Sequence, residues 1–175
     1  MSRGDSVLAG PRRIQLSLYV PSAQAGELER VRRALDPVQA ALIPAHVTLC
    51  RDEEAIEVDA ETISARLLAS GLRPITLRFG IPRPFSGHGL LLPCIDGRAA
   101  FDAVRGCVLG GTPIRAQEPH LTLAHPRNPR VEVDRSEILA GWPEEISVEF
   151  PSVRLIEQRS GAPWRVVREF ALAIA

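Results

Sequence analysis

The tetrapeptide His-Val-Thr-Leu at residues 46–49 returns as His-Leu-Thr-Leu at residues 120–123. Each copy lies in a short apolar stretch that is typical of a β-strand. Because side chains alternate between the two faces of a strand, His and Thr point to one side and the two apolar residues point to the other. We therefore expect each segment to bury its apolar side chains and to present one imidazole and one hydroxyl on a common surface.

The elements around the two tetrapeptides also repeat. Residues 13–20 alternate as a half-buried strand does, and residues 23–35 carry apolar side chains at helical spacing. A strand, a helix and a histidine-bearing strand follow one another in both halves of the chain. Strands are separated by hairpins as often as by helices, which favours the α+β class. The pattern predicts a bilobal fold: two pseudo-symmetric antiparallel sheet lobes, helices on the outside, and the histidine strands beside a central cleft.

Local signals complete this pattern. Asp59 is predicted to cap a helix that ends at Gly71, and Asp96 to cap a helix that ends at Gly110. The acidic run 52–54, within residues 51–58, is predicted to be a solvated loop. The remaining predicted segments are a strand pair at 74–79 and 89–95 joined by a turn-rich stretch at 80–88, a short segment at 136–140, and final strands at 146–157 and 164–173.

Length and composition fit an ordinary globular protein of 175 residues, with 45% apolar and 24% charged residues. We expect residues 1–11 to form a flexible tail and residues 12–175 to form a single bilobal domain. Basic and acidic residues are balanced, so no long-range field attracts nucleic acid. All 21 basic residues are arginine, which a coding bias explains better than phosphate recognition does.

The three cysteines are odd in number and form no Cys-x-x-Cys pair, which argues against a disulfide framework and a structural zinc site. The first residues lack the apolar run of a signal peptide, and no stretch approaches the length of a membrane span. The expected location is therefore the cytoplasm, without membrane contact, and no obligate protein partner is evident.

This arrangement resembles the two-histidine phosphoesterase superfamily, which includes the 2′-5′ RNA ligase-like proteins and the cyclic nucleotide phosphodiesterases. The family mark is a pair of His-x-Thr-x motifs with apolar x, matched here by residues 46–49 and 120–123. The strand at 13–20 and the strand-turn-strand at 147–173 are similar to family members as well. The resemblance implies a bilobal α+β fold and reaction at a phosphodiester, often a 2′,3′-cyclic phosphate, without metal or other cofactor.

By that resemblance His46 and His120 are the proton-transfer pair, and Thr48 and Thr122 bind the phosphate. Opening a cyclic phosphodiester needs a base for the attacking water and an acid for the departing sugar oxygen. Imidazole serves in either role at neutral pH, and hydroxyl groups stabilise charge on the non-bridging oxygens. The expected substrates are a small cyclic phosphate, a nucleotide, an RNA terminus or a 2′-5′ phosphodiester. The assignment of base and acid stays open.

Three further residues are predicted to line the cleft. Cys50 shares the strand parity of His46 and Thr48; it is either a small lining residue or a nucleophile, and the first is favoured because nothing is positioned to activate it. Tyr19 lies on the polar face of the first strand, where it either stacks on a base or packs at the rim. Trp164 begins the last strand and either lines the mouth of the groove or packs beside it.

Other histidines and arginines carry weaker signals. His125 has the parity opposite to His120 if the strand continues, which favours a structural or surface role, and His88 lies in a turn that is predicted to be exposed. No arginine stands out as a phosphate ligand among the candidates Arg78, Arg83, Arg127, Arg130 and Arg159.

Three alternatives remain. A zinc site is disfavoured because catalytic zinc usually has three protein ligands and the motifs contain no carboxylate. A non-catalytic nucleotide- or RNA-binding module would keep the cleft and lack turnover. A plain α+β scaffold would place the two histidines far apart.

Overall fold

The structure, a computed structural model, describes residues 11–55, 59–111 and 115–172. Within them the chain forms nine strands: β1 Arg12–Tyr19, β2 His46–Cys50, β3 Ile75–Phe79, β4 Arg83–Phe85, β5 Gly89–Asp96, β6 His120–Ala124, β7 Ile146–Phe150, β8 Ser152–Arg159 and β9 Arg165–Ala171. The same residues form six helices: α1 Ser22–Leu35, α2 Pro37–Leu42, α3 Asp52–Ala55, α4 Ala60–Ser70, α5 Arg98–Leu109 and α6 Arg135–Ile138. Residues 1–10 of the predicted tail, residues 56–58 and Ala173 lie outside the described residues.

The described strands form two antiparallel sheets, and each sheet contains one histidine strand. One sheet has the order β2-β1-β8-β9; the other has the order β4-β5-β3-β7, with β6 paired to β5. β2 pairs with β1 as β6 pairs with β5, and β2 and β6 contact each other. The two histidine strands therefore meet between the sheets. The predicted α+β class and the bilobal, pseudo-symmetric architecture are confirmed.

Each histidine strand contains a β-bulge after its threonine. The register with the neighbouring strand shifts, so that Leu49 is the extra residue in β2 and Leu123 is the extra residue in β6. A bulge interrupts the alternation of side chains. As a result Cys50 and Ala124 are buried together with the leucines that precede them. Up to the bulge, the alternation is the one that the sequence predicts.

Several local predictions are confirmed and others are corrected. Asp59 caps α4, and Gly71 ends that helix in a left-handed conformation. Residues 52–55 form α3 instead of a solvated loop, and β4 lies within the predicted turn. The N-cap of α5 is Gly97, because Asp96 still belongs to β5. None of the described helices is long and apolar enough to cross a membrane.

A buried arginine of α1 connects the two histidine strands. Arg32, only 2% exposed, donates to the carbonyl of Thr122 in β6 at 3.2 Å and to the carbonyl of Ile43, just before β2, at 2.9 Å. Its charge is balanced by Glu29 at 2.8 Å, and Glu29 also accepts the amide of Ala45. One ion pair thus fixes the approach to β2 against the main chain of β6.

A second buried arginine makes the reciprocal connection from α5. Arg105, 1% exposed, donates to the carbonyl of Leu49, the bulged residue of β2, and to that of Arg115 at 2.7 Å. It pairs with Glu54 of α3, which is equally buried. An arginine of α1, in the half of the chain that holds β2, thus binds the main chain of β6, and an arginine of α5, which precedes β6, binds the main chain of β2.

The Arg105–Glu54 pair provides a test of this connection. Replacing Arg105 with Met leaves a buried carboxylate without its partner, which costs about 3–5 kcal/mol. We expect urea unfolding to show a loss of that size for Arg105→Met. The double variant Arg105→Met/Glu54→Met, which buries no lone charge, recovers most of the loss. A loss below about 1 kcal/mol in the single variant would contradict the role assigned to the pair.

Candidate active site

The two histidine motifs line one cleft between the sheets, with a volume of about 270 Å³. His46 and Thr48 reach it from β2, and His120 and Thr122 reach it from β6. The apolar residues between them are buried in the core beneath. All four residues that the sequence singled out are therefore brought together on one surface.

Both imidazoles are held in the same way. Nδ1 of His46 lies 2.8 Å from the carbonyl oxygen of Pro44, and Nδ1 of His120 lies 2.8 Å from that of Glu118. A carbonyl oxygen only accepts, so Nδ1 carries the proton in each ring. The neutral imidazole then keeps its lone pair on Nε2, and the ring orientation is fixed by the main chain two residues upstream. Each histidine can take up or release a proton through Nε2.

The surroundings of both imidazoles disfavour their charged form. Burial lowers the pKa of His46 to about 4; the hydrogen bond to Pro44 opposes this shift, and the charges of Arg32 and His120 add to it. Burial also lowers the pKa of His120, and the positive charge of Arg51 acts in the same direction. Both rings are consequently neutral at pH 7 in the free protein. A bound anion reverses the electrostatic part of this shift.

A glutamine orients one of the two threonine hydroxyls. Gln15 of β1, 8% exposed, donates to Oγ1 of Thr48 at 3.2 Å and to Oγ of Ser17 at 2.6 Å. The hydroxyl oxygen of Thr48 thus already accepts a hydrogen bond, and its own hydrogen is available to a ligand in the cleft. Sequence reasoning did not single out Gln15, although it shares the polar face of the first strand.

The cleft contains polar residues from several distant segments. Among the residues that the structure describes, the lining consists of Arg13, Gln15, Arg32, Gln39, Leu42, Ile43, His46, Thr48, Arg51, Phe85, His120, Thr122, His125, Arg127, Asn128, Gln158 and Trp164. Phe85 lies beside His120, with ring centroids 6.5 Å apart. Arg13 lies over the Trp164 ring at 5.2 Å and donates to Gln158 at 3.2 Å. The lining is therefore cationic, with aromatic rings on two sides.

Of the three further lining predictions, two are wrong. Cys50 is 1% exposed in the core because the bulge in β2 turns it inward, and burial raises the pKa of its thiol to about 12. Such a thiol is not an activated nucleophile. Tyr19 is buried in a small cluster with Ile43, Ile156 and Trp164, with its ring 6.1 Å from that of His46. Trp164 lines the cleft.

Two of the weaker candidates line the cleft, and the others do not. His125 lines the cleft, contrary to the predicted parity, because the bulge in β6 shifts the alternation. His88 is half-buried rather than exposed, and its Nε2 lies 2.9 Å from the carbonyl of Asn128. Arg127 belongs to the cleft lining. The other candidate arginines form ion pairs outside the cleft or do not line it: Arg78, Arg83, Arg130 and Arg159.

No group of three or more His, Cys, Asp and Glu side chains among the described residues is arranged to hold a metal ion.

Comparison with known proteins identifies the family. The family model of the 2′-5′ RNA ligase superfamily matches residues 20–162, a range that contains both histidine motifs. The chain belongs to this superfamily. The membership among the two-histidine phosphoesterases that the sequence predicts is confirmed. No curated protein matches the sequence significantly.

Several solved structures are similar to this chain over nearly its whole length. E. coli LigT complexed with NADP+ is 19% identical with a TM-score of 0.57, covering 95% of this chain and 100% of that chain. TT0787 of Thermus thermophilus is 17% identical with a TM-score of 0.51, covering 91% and 97%. A structure described as that of a phosphoesterase is 16% identical with a TM-score of 0.52, covering 94% and 100%. At these identities the likeness concerns the fold.

The depressed histidine pKa values predict how anion binding depends on pH. Sulfate keeps its double charge between about pH 5 and pH 8, and it favours the protonated form of any imidazole beside it. We expect sulfate to bind about tenfold more tightly, or more, at pH 5 than at pH 8, as measured by calorimetry, because binding is coupled to proton uptake. The double variant His46→Asn/His120→Asn should lose most of this dependence. Equal affinity at the two pH values in the unmodified protein would contradict the prediction.

Proposed function

We propose that the protein is a metal-independent phosphoesterase that hydrolyses a cyclic phosphodiester, such as the 2′,3′-cyclic phosphate of a nucleotide or RNA end, or a 2′-5′ phosphodiester. The observation that carries this proposal is the matched pair of imidazoles in one cleft, each with Nδ1 bound to a carbonyl and Nε2 left for proton transfer. Two such groups on opposite sides of phosphorus satisfy an in-line displacement, which needs a base at the nucleophile and an acid at the leaving group.

Phosphate-bearing ligands are supported by the relatives as well as by the cleft. E. coli LigT has been solved in complex with NADP+, 3′-AMP, ATP and phosphate. In this chain the hydroxyls of Thr48 and Thr122 lie beside the imidazoles, where they donate to the non-bridging oxygens. Two aromatic side chains of the cleft, Phe85 and Trp164, are available to stack on the base of a nucleotide. A cyclic nucleotide or an RNA end fits these groups.

The two histidines are suited to different roles. When the phosphodiester binds, its negative charge raises both pKa values. We assign His46, whose pKa burial lowers to about 4 in the free protein, as the base that takes a proton from water. His120 is then the acid that protonates the departing sugar oxygen. The products are a phosphomonoester and a free hydroxyl. The base gains one proton from water and the acid gives one proton to the sugar oxygen, so the protons balance.

Replacement of either histidine should remove most activity. With adenosine 2′,3′-cyclic phosphate as substrate and EDTA present, we expect His46→Ala and His120→Ala each to lower kcat by about 10²–10⁴-fold. Circular dichroism and thermal unfolding serve as controls for the fold. Full activity in either variant would contradict the mechanism; nucleotide binding without turnover in the unmodified protein would favour a non-catalytic binding module.

The pH dependence of kcat in the same variants tests the assignment of roles. A base must be deprotonated and an acid must be protonated, so the unmodified enzyme should lose activity at both low and high pH. The residual activity of His46→Ala should no longer fall at low pH, and that of His120→Ala should no longer fall at high pH. The opposite result would exchange the two roles.

The threonine hydroxyls should contribute through the transition state. We expect Thr48→Val and Thr122→Val each to lower kcat by about 10²-fold, since each removes one donor to the developing charge. Thr76→Val is a matched control because Thr76 is exposed on β3 outside the cleft. If Thr48→Val and Thr76→Val behaved alike, the hydroxyl would have no role in catalysis.

A further inference from the structure

Charge is distributed unevenly between the cleft and the rest of the molecule. The chain has 21 basic and 21 acidic residues. The described side chains that line the cleft nevertheless include four arginines and three histidines and no carboxylate. A phosphodiester carries a single negative charge, and two imidazoles and two hydroxyls already lie ready to meet it. The cleft therefore holds more positive charge than the reacting group requires.

One of the four arginines is accounted for by the fold. The guanidinium of Arg32 is bound by the carboxylate of Glu29 and by the carbonyls of Ile43 and Thr122. The other three arginines, Arg13, Arg51 and Arg127, line the cleft outside that network. They are exposed, so a ligand can reach their guanidinium groups. Two of these three, Arg51 and Arg127, together with His125 are called the arginine cluster.

The members of the arginine cluster are close to one another. Nη2 of Arg127 lies 3.4 Å from Nε2 of His125. Burial lowers the pKa of His125, and the charges of Arg127, Arg51 and Arg13 lower it further, against the opposing effect of Asp36. Arg51 and His125 hold equivalent places, since each is the first residue after a bulged histidine strand. The structural repeat that positions the two histidine motifs therefore also places Arg51 and His125 at the cleft.

The loop that carries His125 and Arg127 is fixed by a buried carboxylate. Asp36, 2% exposed between α1 and α2, accepts the amide of His125 at 2.8 Å and the side-chain amide of Asn128 at 2.9 Å and 3.0 Å. The main-chain amide of Arg127 donates to Nδ1 of His125 at 3.2 Å. These hydrogen bonds hold the loop in place before any ligand binds, so this part of the cluster is preorganised.

A group of arginines outside the cleft is paired with a carboxylate, in contrast to Arg51 and Arg127. Arg12, Arg159 and Arg165 surround the buried carboxylate of Glu157, which neutralises part of their charge. Within the described part of the chain, neither Arg51 nor Arg127 forms an ion pair. The positive charges of Arg51 and Arg127 repel each other within one cleft, and a bound anion offsets that repulsion. A ligand with a negatively charged group can supply this anion.

We propose that the arginine cluster binds a second phosphate group of the substrate, while the phosphodiester that reacts lies between the two catalytic histidines. This inference rests on the proposed function and names its substrate class: nucleotides that carry another phosphate besides the cyclic one. The second phosphate is either a 5′-phosphomonoester of the same nucleoside or the next internucleotide phosphodiester of an RNA end. Both present oxygens that match the donor geometry of guanidinium groups.

Steady-state kinetics on three substrates tests the proposal: adenosine 2′,3′-cyclic phosphate, its 5′-phosphorylated form, and the dinucleotide ApA with a 2′,3′-cyclic phosphate. We expect a second phosphate to raise kcat/KM by about tenfold or more, mainly through KM, as for a charge-assisted hydrogen bond. A gain confined to the 5′-phosphorylated substrate or to the dinucleotide identifies which phosphate the cluster takes. No gain with either would overturn the proposal.

Variants of the cluster locate the effect. Arg51→Gln and Arg127→Gln should reduce the gain from the second phosphate to less than about threefold. Arg130→Gln is a matched control, because Arg130 follows in the same loop but pairs with Glu132 at 3.6 Å and does not line the cleft. The control should keep the full gain. Equal losses for substrates with one and two phosphates in the cluster variants would contradict the subsite.

Equilibrium binding separates this proposal from the proposed reaction. Calorimetry with adenosine 3′-phosphate, adenosine 3′,5′-bisphosphate and the dinucleotide ApA 3′-phosphate needs no turnover. A tighter complex with either two-phosphate ligand, lost in Arg51→Gln and Arg127→Gln, supports the subsite even if no cyclic phosphate is hydrolysed. Hydrolysis of the cyclic nucleotide together with equal affinity for all three ligands would leave the reaction standing and remove the subsite.

Discussion

The relative position of the two histidines depends on a reciprocal exchange of hydrogen bonds between the halves of the molecule. Arg32 of α1, which lies in the first half of the chain, binds the main chain of the second motif, and Arg105 of α5 binds the main chain of the first. Burial of a guanidinium is tolerable because Glu29 and Glu54 balance the charges and carbonyls accept the remaining hydrogens. The proposed proton transfers require both rings to reach the same phosphorus, and these contacts fix the strands that carry them.

The chemistry of the cleft follows from that arrangement. The strands place two rings with protonated Nδ1 atoms beside two hydroxyls, and the surrounding burial and positive charge keep the rings neutral until an anion arrives. In the proposed reaction, the ligand supplies the negative charge that lets one imidazole become the acid. A cleft without carboxylates among its described lining favours anionic ligands over neutral and cationic ones.

Strand alternation predicted the motif residues correctly and failed where a bulge intervened. The histidines and threonines share a face because their positions lie before the bulge, whereas Cys50 and His125 come after it and point opposite to the prediction. A bulge depends on pairing with a neighbouring strand, which no local pattern shows. The contributions of Arg13, Gln39 and Asn128 were unpredictable for the same reason, since they converge from different elements. The buried arginines could have been noticed in the sequence, because each of them follows a valine on the apolar stripe of its helix.

A crystal structure of the protein with bound phosphate tests whether the two histidines act on one group. We expect one phosphate in the cleft, with Nε2 of His46 and Nε2 of His120 each about 2.7–3.2 Å from its oxygens. The threonine hydroxyls should bind the remaining oxygens, and both Nδ1 atoms should stay on their carbonyls. A phosphate that contacts only one of the two histidines, or that binds outside the cleft, would contradict the account.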